Sequence, residues 1–97
     1  MMKTHFNNNF LEDSTETLRA IAHPIRIAMI DLLFNNRQMT VTDIYSQLKI
    51  EQAIASHHLR ILKSKNIVNV ERDGKNSLYS LCKEEYYEII KTLIKVI

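Results

Sequence analysis

The chain has 97 residues, 45% of them hydrophobic and 25% charged, with one glycine and one proline. That length holds one domain, and so few turn formers exclude a many-stranded, turn-rich sheet in favour of helices with short connections. The net charge of +2 does not by itself mark a nucleic-acid binder, but residues 49–75 carry six basic side chains against three acidic ones, while the flanking stretches are balanced or slightly acidic. Charge concentrated in one stretch is the footprint of a phosphate-binding surface.

Residues 1–12 read as a flexible N-terminal arm in which Phe6, Phe10 and Leu11 are apolar. Asp13 and Glu16 have the spacing of a capping box, so a first helix is expected from Asp13 to about Ala22, with Leu18, Ile21 and Ala22 at helical spacing. His23-Pro24 ends it, and Pro24 suits the first position of a second helix, where its missing N–H costs nothing. That helix is expected to run to about Phe34, with Ile27, Ile30, Leu33 and Phe34 apolar. Thr40 and Asp43 repeat the capping spacing ahead of a short helix, Val41 to Leu48.

Lys49-Ile50-Glu51 is a three-residue connection. The helix after it, Gln52 to about Lys65, puts Ala55, Leu59 and Leu62 on one face. Two helices joined by so short a turn, the second with a charged outer face, make a helix-turn-helix pattern. After Asn66 the apolar period changes from helical to alternating. Asp73-Gly74 between Ile67-Val68-Val70 and Leu78-Tyr79-Leu81 is a hairpin signal, and a hairpin following such a helix is a wing. Residues 84–97 read as a last helix with an apolar stripe too wide for the end of a small domain, which suggests burial against another chain.

The expected fold is therefore mainly α with a small β-hairpin: a winged helix-turn-helix of about five helices and a two-stranded wing. At this point the residues resemble the ArsR/SmtB family of winged-helix repressors. The matching stretches are Leu18-Arg19-Ala20-Ile21-Ala22-His23-Pro24-Ile25-Arg26, Ala55-Ser56-His57-His58-Leu59-Arg60-Ile61-Leu62, Val70-Glu71-Arg72-Asp73-Gly74-Lys75 and Leu78-Tyr79-Ser80-Leu81. The resemblance covers roughly residues 17–81 in register. It implies a DNA-binding and dimerisation domain over residues 13–97, a homodimer formed by the first and last helices, a fourth helix in the major groove and a wing on the neighbouring backbone.

On that register the DNA-binding candidates are Gln52, Ala53, Ser56, His57, Arg60 and Lys63 of the fourth helix and Arg72 and Lys75 of the wing. A groove-docked helix reads bases with its first turns. Gln52 suits a bidentate contact to adenine, Ser56 and His57 a base edge or phosphate oxygen, and the basic residues phosphates. Half or more of such contacts position the protein rather than specify sequence. His58, spaced with Ala55 and Leu62, reads as a core-edge residue. Ala53 and Glu51 depart from the hydroxyl residues usual in the family. The dimer candidates are Leu18, Tyr86, Ile90, Leu93, Ile94 and Ile97. A dimer with recognition helices about 34 Å apart expects an inverted-repeat operator with half-site centres about 10 bp apart.

No metal or other cofactor is expected. Where family sensors carry a Cys-Val-Cys box this chain has Thr40-Val41-Thr42, and hydroxyls are poor ligands for thiophilic metals. The last helix offers Glu84, Glu85 and Glu88 but no histidine, whereas zinc takes about four ligands with N or S among them. His5, His23, His57 and His58 show no ligand spacing.

Cys82, the only cysteine, excludes an intrachain disulfide and fits a reducing compartment. It reads as a small packed residue at a strand end. No apolar run approaches the roughly 20 residues of a membrane span, and the start lacks a signal-peptide stretch; a cytoplasmic protein is expected. An enzyme is not, since there is no glycine-rich phosphate loop and no nucleophile–base spacing. The rival reading is a winged-helix protein-interaction module, because fold does not fix function.

Overall fold

The computed structural model describes residues 3–97, so the first two residues of the expected arm lie outside it. Its elements are α1 (Asn8–Ile21), α2 (Pro24–Asn36), β1 (Met39–Thr40), α3 (Val41–Leu48), α4 (Gln52–Ser64), β2 (Val68–Asp73), β3 (Asn76–Leu81) and α5 (Glu85–Val96).

Local chemistry explains most boundaries. Helix α1 starts at Asn8 rather than Asp13, which corrects the expected arm: residues 8–12 are helical. Asn7 is the cap. Its Oδ1 accepts the Phe10 N–H at 2.8 Å, and asparagine is among the best residues for that position. Asp13, expected to cap, lies inside the helix. Pro24 opens α2, and His23 caps it through Nδ1, which accepts the Ile25 N–H at 3.1 Å. Thr40 caps α3 by accepting the Asp43 N–H at 3.1 Å. Helix α3 stops at Lys49, whose left-handed backbone (φ 56°) lets its N–H return to the carbonyls of Tyr45 and Ser46. Glu51 precedes α4 and makes no side-chain capping bond.

The sheet is three-stranded and antiparallel, in the order β1-β3-β2. The expected hairpin is there, with Val68 opposite Leu81 and Asp73 opposite Asn76. Gly74 takes the first position of the two-residue turn with φ +64°, a conformation costly for residues with a Cβ. The added strand pairs Met39 with Tyr79 and Thr40 with Leu78, so the expected two-stranded wing roots in a third strand. Two residues are too short to show alternation, which is why the pattern concealed them.

The core gathers Ile21, Met29, Ile30, Leu33, Met39, Ile44, Ala55, Leu59, Leu62, Ile67 and Val68 from every element except β3 and α5. Helix α5 has no fully buried residue. Tyr86, Tyr87 and Ile90 lean on the core, and Tyr87 stacks on Phe34 with ring centroids 3.8 Å apart and planes 3° from parallel. The rest of its apolar surface is open, with Ile94 76% and Ile97 98% exposed.

Candidate nucleic-acid interface

Helix α4 is two-sided. At 3.6 residues per turn, Gln52, Ala53, Ser56, His57, Arg60 and Lys63 fall within an arc of about 140°. All are exposed except Ser56, which is half-buried. Ala55, His58, Leu59 and Leu62 occupy the opposite arc and are buried. The inner face fixes the helix to the core, so the outer face is presented on a rigid support. Ile54, 40% exposed, also lies on the surface near the start of α4, and sequence reasoning did not single it out.

Arg72 and Lys75 are exposed at the tip of the wing. Arg72 stands on β2 opposite Ser77, and Lys75 lies in the turn beside Gly74. Neither is held in an ion pair among the described residues; the pairs there join Glu16 to Arg19 at 3.9 Å and to Lys65 at 3.4 Å. The wing's charges and those of the outer face of α4 are therefore free to meet phosphates.

Behind that face lies a cluster that spacing along the chain did not reveal. The rings of His23 and His58 have centroids 4.3 Å apart, and His57 meets His58 edge-on at 5.1 Å. His58 is 7% exposed, and its Nδ1 is buried without a hydrogen-bond partner, as is Nε of Arg26. Burial pushes the His58 imidazole below its ordinary value, helped by the nearby His23, Arg26 and His57. The expectation that His58 is a core-edge residue holds. The meeting of His23 with His58 arises because the fold brings the cap of α2 onto α4.

The dimer candidates divide. Leu18, Leu93, Ile94 and Ile97 are exposed, whereas Tyr86 and Ile90 are half-buried against the chain's own core. Cys82 follows β3, half-buried, and its N–H bonds the Ile67 carbonyl at 3.0 Å. Burial pushes its thiol pKa up, against a smaller opposing effect of Lys83, so thiolate reactivity is suppressed. Among the described residues no helix is long and apolar enough to cross a membrane.

Comparison with known proteins agrees with this geometry. Residues 23–70 match the pattern described as "Bacterial regulatory protein, arsR family". The chain is 36% identical over 80 residues to an uncharacterized HTH-type transcriptional regulator of Methanocaldococcus jannaschii, covering 82% of this chain and 90% of that one. Its structure resembles the crystal structure of the transcriptional repressor PagR of Bacillus anthracis, with a TM-score of 0.80 and 32% identity over 90% of this chain and 99% of that one. It shares its fold with the homodimeric winged helix-turn-helix DNA-binding domain of a possible ArsR-family regulator of Mycobacterium bovis, with a TM-score of 0.81 and 20% identity over 98% and 90% of the two chains. With its helix-turn-helix, its wing and identities above 30% across most of two such regulators, this chain belongs to the arsR family of bacterial regulatory proteins.

Proposed function

We propose that the protein is a sequence-specific, double-stranded DNA-binding transcriptional repressor that works as a homodimer in the cytoplasm, without enzymatic activity and without a metal. The observation that carries this reading is the exposed polar arc of α4 beside an unpaired basic wing. Gln52, Ser56 and His57 read or approach base edges in the major groove. Arg60, Lys63, Arg72 and Lys75 meet phosphates. Ala53 supplies a small apolar contact such as a thymine methyl accepts. The likeness to PagR, a transcriptional repressor, supports the same reading.

Dimerisation follows from α5. A single chain leaves Leu93, Ile94, Val96 and Ile97 open to water at its last turns, and Leu18 open on α1, and exposed apolar surface of this kind marks an interface. Two copies related by a dyad present two α4 helices to an inverted repeat.

Fluorescence anisotropy with the DNA flanking the protein's own gene tests the reading. Wild type is compared with a Gln52→Ala/Ser56→Ala/His57→Ala variant at two salt concentrations. The expected result is selective binding that falls steeply with salt and a variant that no longer prefers the operator. Equal, weak binding of both proteins to any DNA sinks the reading and favours a protein partner instead.

A further inference from the structure

Arg26 is placed at local cost. It lies in the first turn of α2, which contains no acidic residue, and a cation is disfavoured at the positive end of a helix. Arg26 takes part in no ion pair among the described residues, and its Nε is buried without an acceptor. A buried donor left unpaired is destabilising, and such groups in native proteins call for a specific explanation.

Its surroundings offer no internal remedy. Beside the buried His58 ring, the groups whose charge acts on it are His23, the cap of α2, Arg26 of α2 and His57 of α4, and the carboxylate engaged in ion pairs among the described residues, Glu16, pairs with Arg19 and Lys65 rather than Arg26. The cluster is not a metal-ligand set either, since no group of three or more His, Cys, Asp and Glu residues is gathered to hold a metal among the described residues. Arg26 is the cation of this corner, and it stands without a counter-charge among the described residues. Arg26 as a whole is only half-buried, and its terminal guanidinium nitrogens are not among the buried, unpartnered atoms, so an anion from outside supplies the counter-charge there. His57 gives the direction of approach, because it touches His58 yet is exposed on the outer arc of α4.

We infer that Arg26 binds a DNA phosphate, so that the protein–DNA interface extends from α4 and the wing onto the start of α2. The inference rests on the proposed DNA-binding reading and adds a residue to it. A contact of this kind positions the duplex and carries no base preference. The guanidinium presents several N–H donors to phosphate oxygens, which a lysine ammonium replaces only in charge.

The test is anisotropy over a salt series, with the DNA flanking the protein's own gene and a scrambled duplex, for wild type, Arg26→Gln and Arg26→Lys. Arg26→Gln is expected to lose about tenfold in affinity per protomer. Its log–log salt slope should be shallower by ~0.9 for each phosphate that the variant no longer neutralises. The preference for operator over scrambled DNA should stay as in wild type. Arg26→Lys should restore the slope and only part of the affinity. Duplexes carrying one neutral methylphosphonate at successive positions should reveal a position that weakens wild type but leaves Arg26→Gln unchanged.

A wild-type slope and affinity in Arg26→Gln overturn the inference, as does a lower melting temperature with the slope intact, which means a structural role only. If Arg26→Gln fails to fold, Arg26→Lys decides: weakened binding at an unchanged slope supports the contact, and unchanged affinity removes it. The two readings fail separately. Loss of selectivity in the Gln52/Ser56/His57 variant beside an unaffected Arg26→Gln refutes only the Arg26 contact. Absence of selective binding by wild type refutes both.

Discussion

Helices α4 and α5 are nearly equal in length, 13 and 12 residues, and both are amphipathic, yet the chain treats them differently. The apolar face of α4 is largely completed by its own chain: Ala55, Leu59 and Leu62 are buried, and what meets water is the polar arc together with Ile54. The apolar face of α5 is left incomplete. Tyr86, Tyr87 and Ile90 find partners within the chain, while the last turns of the helix find none. In α4 the hydrophobic effect is spent on fixing a surface for another molecule. In α5 the same driving force remains available for association. Substitutions in the two helices should therefore break different things.

The largest effect is expected from α5. Leu93→Glu/Ile94→Glu places two charges where a second copy is expected to pack, without emptying the chain's own core. Sedimentation should show a folded monomer in place of a dimer. Affinity for an inverted repeat should fall by about 10²–10⁴-fold, because linking two half-site contacts supplies that much avidity. A variant that stays dimeric would show that the partner seats elsewhere.

In α4 the order reverses. Leu59 is fully buried, and Leu59→Ala should cost about 2–5 kcal/mol of stability through reduced burial and the cavity left behind. Urea unfolding checks this, since the midpoint should fall with little change in slope. Where the variant remains folded, it should still assemble, because Leu59 belongs to the inner face. A stability loss well below 1 kcal/mol would mean that α4 is held by something other than this packing.

The same contrast shows how far the sequence was readable. Features set by neighbours a few residues apart were legible: Pro24 at the start of α2, Thr40 as the cap of α3, the hairpin turn at Gly74, and His58 on the inner arc through its spacing from Ala55 and Leu62. The polar arc of α4 was legible for the same reason. Two local readings misled. The spacing of Asp13 and Glu16 looked like a cap, but Asn7 offered an earlier one and the helix took it. The strand Met39–Thr40 exists only because β3 pairs with it. The meeting of His23 with His58 and the isolation of Arg26 depend on how α2 crosses α4. No periodicity along the chain encodes either, so that corner of the candidate interface became visible only with the fold.

The smallest expected effect belongs to that corner. The folded state holds His58 below the ordinary imidazole value, first by burial and then through the charges of His23, Arg26 and His57. Above the unfolded value of about 6.5 both states keep the ring neutral, and the fold has no proton-linked cost. As pH falls below it, the unfolded chain takes up a proton that the folded chain resists, so stability falls across the window down to the lower folded value. Melting temperatures between pH 5 and 8 should therefore fall on the acid side in wild type and more shallowly in His58→Gln. Leu93→Glu/Ile94→Glu should keep the wild-type slope, since α5 shares no group with this cluster. A His58→Gln profile parallel to wild type would place the acid sensitivity outside the contact between α2 and α4.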